Sequence, residues 1–421
     1  MRNLKRALSL ALAAIMLVGM MVVSASAASY NNLTDKDEIV NKDAVSMLVS
    51  LGIIEGKPDG SYGPTENVDR AQMAKMLSVI MNKGVDNSAL YQSVNSGLTD
   101  ITSNWAKGHI NYCYTTGIIA GRGNGKFDPS ATVTALEAAK MLLVAVGYDP
   151  AIEGFEGADW AINVSVRADE QGIFEGFTKD LSAPLNRDDA ALLIYNALDV
   201  EMIQSYTTNN YPIVYSDHRT ILSDKYGVIK VEGVVTANEW AILDDDTDTA
   251  LQEGKTRIYN PDGILSTTGN TAVAQDSSAN VKTQVFNVST PVDMLGKAVT
   301  MYVKKTTILA DSTVYGAPVV SDVNTVIETG EKVTGLSTDK ATEYYHNYEE
   351  VAIDSADVDD IMNVKGAALT VIDNDNDGYV NYVISVEKSL THVSGVSSKN
   401  ETTTLYGLPG DDVIDHEDIV T

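Results

Sequence analysis

The run Asp373-Asn374-Asp375-Asn376-Asp377-Gly378 places carboxylates at alternate positions ahead of a glycine. That is the pattern of the first half of a calcium loop, where alternate side chains let hard oxygen ligands converge on one ion. The twelfth position, where a helix–loop–helix calcium site needs a bidentate Glu, is Ile384, and the flanking residues read as strands. A true EF-hand is therefore excluded. Two readings of Asp373, Asp375 and Asp377 stay open: a hairpin turn that holds Ca²⁺ weakly, or an ordinary Asp/Asn/Gly turn with no ion. Asp244-Asp245-Asp246 is a second acidic turn, read as solvated.

Other reactive chemistry is sparse. The five histidines, His109, His218, His346, His392 and His416, show no paired metal-ligand spacing, and there is no nucleophile elbow, phosphate loop or CxxC. Two carboxylates suffice for a glycosidase and any acidic chain supplies them, so a glycoside hydrolase stays as a minor alternative. The main expectation is that the chain is not an enzyme and requires no cofactor, with Ca²⁺ as the one candidate ion.

The address is readable at the start. Arg2, Lys5 and Arg6 precede an apolar run from Leu8 to Val23 that ends in Ala25-Ser26-Ala27, which reads as a cleaved secretory signal peptide over residues 1–27. No later run is long enough to span a bilayer. Removing the leader takes away three basic residues and no acidic one, so the formal charge of −28 becomes −31. A surface this acidic repels nucleic-acid backbones and anionic lipid. Cys113 is the only cysteine, so no intrachain disulfide forms and packed cores must supply the stability.

The elements that would position binding residues show up as a repeat. Leu33-Thr34-Asp35 recurs as Leu98-Thr99-Asp100, Gly52-Ile53-Ile54 as Gly117-Ile118-Ile119, and Lys75-Met76-Leu77 as Lys140-Met141-Leu142, all offset by 65 positions. A third, diverged copy is offset from the second by 55 at Trp160-Ala161 and Gly172-Ile173, then by 52 at Leu185 and Ala190, so its middle loop has lost three residues. Each copy reads as helix, loop, helix. Val40, Ala44, Val45, Leu48 and Leu51 have helical spacing, and Gly52 can take the positive φ that ends the helix. Asp69-x-x-Gln72 and Thr134-x-x-Glu137 are capping boxes for the second helices, with Asn186-x-x-Asp189 a weaker version. One such pair cannot bury its apolar stripe alone, whereas three packed together can.

The stretch from Leu98 to Leu142, with Asn104-Trp105-Ala106-Lys107 and Thr134-Ala135-Leu136-Glu137, closely resembles an S-layer homology module. The resemblance covers residues 30–199 and divides them into modules at 30–90, 95–149 and 150–203. It implies an all-α pseudo-threefold body whose inter-module grooves bind a secondary cell-wall polysaccharide, commonly through a pyruvylated terminal sugar. It also implies the binding residues: Trp105 and Trp160 from the Trp-Ala motif, with Val40 in copy one; Arg70 and Arg187 at the start of the second helix, with Ala135 in copy two; and the opening acids Asp35 and Asp100. No copy has the full set. The roles are chemically sound, since a guanidinium grips a carboxylate through parallel charge-assisted bonds and an indole offers a flat partner to a sugar ring. If each groove takes its Arg from one module and its Trp from the next, Arg70 with Trp105 is the one complete pair.

Residues 204–421 change texture. Val228–Val235, Ala298–Val303 and Val380–Val386 are short β-branched or aromatic runs separated by Gly/Asn/Asp turns, with surface loops at Thr267–Thr271 and Asp276–Asn280. This predicts a multidomain chain: helical repeats followed by a predominantly β region of one or two sandwich or barrel-like subdomains. The β region is expected at the cell surface, either self-assembling into an array or binding another ligand as an adhesin would.

Overall fold

The computed structural model describes residues 30–243, 250–261, 282–304, 312–328, 336–339, 341–351, 367–387, 392–400, 402–406 and 413–415. The signal segment 1–27, the acidic turn Asp244–Asp246 and the loops at 267–271 and 276–280 lie outside the described residues. The chain divides into two units. One takes in the chain up to Glu232 together with Asn260–Val288 and Thr300–Val319, and the other takes in Gly233–Tyr259, Ser289–Val299 and Val320–Thr421.

In the first unit the capping signals do what their chemistry predicts. Helices α1 (Lys42–Ser50) and α2 (Arg70–Met81) form a first pair, and a short α3 (Ser88–Tyr91) follows. Helices α4 (Lys107–Thr115) and α5 (Ala135–Val146) form the second pair, and α6 (Trp160–Glu170) and α7 (Arg187–Leu198) the third. The Asp69/Gln72 and Thr134/Glu137 boxes are both closed reciprocally, whereas Asn186 only accepts, from the Asp189 N–H. Gly52, Gly117 and Gly172 end the first helix of each pair at φ of +70°, +79° and +69°. A side chain at that φ would be strained, so the three glycines set the length of the first helices.

The pairs are joined in a cycle. The Val68 N–H donates to the Leu185 carbonyl, Val133 N–H to Val68, and Leu185 N–H to Val133, at 2.8, 2.9 and 2.8 Å. These are equivalent positions of the three copies, and each gives one bond and takes one. The helices repeat the same order, with α2 packing on α4, α5 on α6, and α7 on α1. Asp188 at the start of α7 accepts from the Val40 and Asn41 N–H groups at the start of α1, at 3.2–3.3 Å. A carboxylate there satisfies donors that a helix N-terminus leaves open. Burying Leu48, Leu77, Phe127, Leu142, Phe155 and Ile194 in one core gives the apolar stripes a common interior. Cys113 lies in it, fully buried.

Fifteen strands are described. β1 (Ile203–Tyr206) pairs antiparallel with β2 (Pro212–Val214) in the first unit. Then come β3 (Val228–Ala237), β4 (Thr256–Tyr259), β5 (Thr283–Phe286), β6 (Ala298–Lys304) and β7 (Val314–Val320). In the second unit Val234 of β3 pairs with Tyr259 of β4. β8 (Thr325–Glu328), β9 (Glu343–His346), β10 (Glu349–Glu350), β11 (Ala367–Asp373) and β12 (Tyr382–Glu387) make a sheet of order β10-β9-β12-β11-β8. β13 (His392–Ser397), β14 (Thr402–Tyr406) and β15 (Val413–Asp415) make another. Only β12 and β9 run parallel within that five-stranded sheet. Among the described residues no helix is long and apolar enough to cross a membrane.

Candidate functional site

Arg70 is only 4% exposed, yet its guanidinium is aimed out of its own copy. Nε donates to the Phe127 carbonyl at 2.9 Å and Nη2 to the Ala120 carbonyl at 2.8 Å, both in the loop of the second copy. The guanidinium lies 4.4 Å over the Phe127 ring. Arg187 repeats this on the first copy, with Nε to the Tyr62 carbonyl at 2.8 Å, Nη2 to the Glu55 carbonyl at 3.2 Å, and the Tyr62 ring at 4.7 Å. A guanidinium has five N–H donors in a planar fork, so holding two carbonyls does not exhaust it. Burial, and then the neighbouring Arg122, pull Arg70 down to about 10, which still leaves it charged at neutral pH.

Two grooves result. The first is lined by Ile54, Glu55, Lys57, Tyr62, Gln72 and Lys75 of copy one, Arg187 of copy three and Trp105 of copy two. The second is lined by Ala120, Arg122, Glu137 and Lys140 of copy two, Arg70 of copy one, and Phe155 and Trp160 from the third-copy segment. Each groove therefore draws on all three copies, and the expected pairing of Arg70 with Trp105 is corrected: Arg187 shares a groove with Trp105, and Arg70 with Trp160. The reason is geometric. Each loop is flanked on one side by the arginine of the preceding copy and on the other by the tryptophan of the following one. The same rule puts Ala135 and Val40 at the third groove, and Val40 stands 82% exposed with nothing aromatic to offer.

The grooves differ in detail. Trp105 is 58% exposed, whereas Trp160 is half-buried with the Lys140 ammonium 5.6 Å from its ring. Lys140 also donates to the Phe155 carbonyl. Arg122 is paired with Glu137 at 2.6 Å, and Lys75 meets Glu55 at 3.5 Å. The cavities measure about 210 and 330 Å³. Pockets for drug-sized molecules run roughly 300–1,000 Å³, so the first groove lies below that range and the second at its lower end.

Asp35 and Asp100 line neither groove. Asp35 accepts the Tyr62 and Gly63 N–H groups, both at 2.7 Å, and Asp100 accepts those of Phe127 and Asp128 at 3.0 and 2.8 Å. For both, burial pushes the carboxyl up, but the backbone donors and a nearby lysine outweigh it and hold the group below its usual range. Each acid thus clamps the loop whose aromatic residue carries the incoming arginine. Sequence reasoning passed over Lys75, Lys140, Tyr62 and Phe127 as groove residues. The recurrence of Lys-Met-Leu at the repeat spacing was the available signal for the two lysines.

In the second unit, Asp373, Asp375 and Asp377 bring one carboxylate oxygen each to within 4.8 Å of one another. Asp373 is 1% exposed and spends its oxygens on the Asn376 and Gly378 N–H groups at 2.7 and 3.1 Å. Burial, then repulsion from Asp377 and Asp373, raises the Asp375 carboxyl. The turn that joins β11 to β12 is thus built on Asp373 whether or not a cation is present.

The S-layer homology domain family matches residues 32–74 and 97–139, the body of the first two copies. The third copy lies outside that match. The chain is 28% identical over 270 residues to a cell surface protein of Thermoanaerobacter kivui, covering 63% of this chain and 32% of that protein. It is 33% identical over 113 residues to an S-layer protein of Bacillus licheniformis, covering 27% and 12%. It is also 31% identical over 172 residues to an amylopullulanase of Thermoanaerobacterium thermosulfurigenes, covering 38% and 9%. The chain spans a third or less of the length of each of these relatives.

Proposed function

We propose that residues 30–203 are a non-covalent anchor to the bacterial cell wall. Three helical copies close into a pseudo-threefold body, and two of its three grooves bind the acidic end of a secondary wall polysaccharide. A pyruvylated terminal sugar suits them, since it presents a carboxylate to the arginine and a ring face to the indole. Residues 204–421 are displayed at the surface as a structural, S-layer-type β region. The matches to S-layer homology domains and to surface-layer and cell-surface proteins support this location. The leading stretch 1–27 is taken as the export signal, and the boundary at 203/204 belongs to the same proposal.

One observation carries the reading. In a chain of net charge −28, one groove is lined by Lys57, Lys75 and Arg187 against Glu55, and the other by Arg70, Arg122 and Lys140 against Glu137 and Glu156, so each has an excess of cations beside a tryptophan. Concentrating cations against such a background favours an anionic ligand. Anchoring needs no cofactor in this reading, no reaction is assigned to the chain, and Ca²⁺ enters only at the Asp373–Asp377 turn. The test is co-sedimentation of the protein with purified walls before and after the polysaccharide, or its pyruvate alone, is stripped. Retention that survives stripping refutes the proposal.

A further inference from the structure

At one matched pair of positions the α2–α4 seam carries an imidazole and a hydroxyl, where the α5–α6 seam is aliphatic and the α7–α1 seam pairs an alanine with a tyrosine. His109 on α4 occupies the position that copy one fills with Ala44 and copy three with Val164, and Ser78 on α2 stands where the others have Leu143 and Tyr195. His109 and Ser78 are 3% and 4% exposed. The Ser78 Oγ lies 2.5 Å from His109 Nδ1 and 3.1 Å from the Lys75 carbonyl. His109 Nε2 is 3.6 Å from an Asp86 carboxylate oxygen. The imidazole meets the edge of the Trp105 indole, with centroids 6.3 Å apart and planes at 65°. Trp105 sits four residues earlier, at the head of α4, and lines the groove that holds Arg187. With serine and histidine both sealed in the seam, the trio has no access to a substrate and is not a catalytic triad.

We propose that His109 is a positioning residue that holds Trp105 in its groove and makes that groove, and not the one lined by Trp160, release its ligand in mild acid. The inference rests on the carbohydrate-binding reading above. The charged groups that face the imidazole are Asp86, from the loop after α2, and Lys75 on α2. Burial opposes the charged ring, Asp86 favours it and Lys75 opposes it, and the net result holds His109 below its ordinary value. At neutral pH the ring is uncharged and fits the seam. Protonation places a charge between two packed helices, which costs desolvation free energy. The system relieves it by drawing the ring across the 3.6 Å gap toward half-exposed Asp86. That motion takes the ring from the indole edge and loosens the head of α4. Near Trp160 the equivalent residue is Val164, so that seam has no buried imidazole to couple a proton to its indole.

Two readouts on the full-length protein test this. Imidazolium quenches a neighbouring indole more than imidazole does, so the fluorescence difference between the wild type and Trp105→Phe, titrated from about pH 8 to about pH 5, isolates Trp105. It should fall in a single transition that disappears in His109→Gln and in His109→Val. Retention on purified walls is the second readout. A chain with Arg70→Ala and Trp160→Ala, left with the Trp105 groove, should lose affinity by up to about tenfold per pH unit below the transition, the slope of one proton. A chain with Arg187→Ala and Trp105→Ala should not, and adding His109→Val to the Arg70→Ala, Trp160→Ala chain should flatten the profile. The inference is overturned by a flat Trp105 signal, by a transition that persists in both His109 variants, or by parallel acid loss in the two single-groove chains. If the fluorescence transition is intact but no chain is retained at any pH, the carbohydrate reading fails while the coupling of His109 to Trp105 stands.

Discussion

The regrouping of residues into grooves makes a prediction that distinguishes two double variants. Arg187→Ala with Trp105→Ala removes both anchors of one groove and leaves the Arg70–Trp160 groove whole. Arg70→Ala with Trp105→Ala injures both. A hydrogen bond to a charged group contributes about 1.5–3 kcal/mol, so loss of the arginine should weaken its groove by about 10- to 150-fold. Loss of the indole contact, at about 1 kcal/mol, should weaken it roughly fivefold. The assay is calorimetric titration with the terminal saccharide released from the wall polymer, a ligand too short to bridge two grooves. The wild type should bind two equivalents, the first double variant one at unchanged affinity, and the second none at unchanged affinity. On whole walls, where both grooves engage at once, the second should also lose avidity, by 10² or more. Because Arg70 also holds the Phe127 and Ala120 carbonyls, melting curves must accompany the titration. An intact site surviving in the Arg70/Trp105 variant, or none surviving in the Arg187/Trp105 variant, would refute the groove assignment.

Three further outcomes follow from the same geometry. Asp100→Asn should cost the helical unit about 1–3 kcal/mol, read by urea unfolding. Because the Asp100 carboxyl is held below its unfolded value, its contribution is complete above about pH 4 and is lost as pH falls through the folded value; Asn at this position should flatten that acid limb, and an unchanged limb would exclude the clamp. Val133→Pro removes one donor of the three-bond ring and should destabilise the unit by about 3 kcal/mol, with loss of a single cooperative transition on melting. In the β region, Asp373→Ala should destabilise by about 1–3 kcal/mol even with chelator present, whereas Asp375→Ala should matter only if Ca²⁺ binds; equal effects of the two in chelator would refute the reading of a turn built on Asp373.

Much of the helical unit was legible because its signals are local. A glycine after a periodic apolar run, a capping box and a fixed offset each act within a few residues, so Gly52, Asp69-x-x-Gln72 and the 65-residue repeat specify helices without reference to the rest of the chain. The irregular third copy was readable for the same reason, since Trp160, Gly172 and Leu185 keep their local roles although the loop is shorter. The β region was legible only as a texture, because which strand pairs with which depends on partners far away in sequence: β12 lies between β11, its hairpin neighbour, and β9, which runs parallel to it.

The sequence by itself determined which residue types recur in the helical copies and at what spacing. What only the tertiary structure decided was their company. Arg70 and Trp105 belong to adjacent copies, yet closure of the ring carries each arginine forward onto the next loop and each tryptophan back onto the previous one, so that partners come from opposite sides of a loop neither belongs to. It also turned the Asp35 and Asp100 carboxylates onto backbone N–H groups of their own loops, because a loop bent around a carboxylate leaves its amide N–H groups no nearer acceptor. A repeat fixes the parts through short-range forces, while the seams between copies are set by packing the apolar faces against one another.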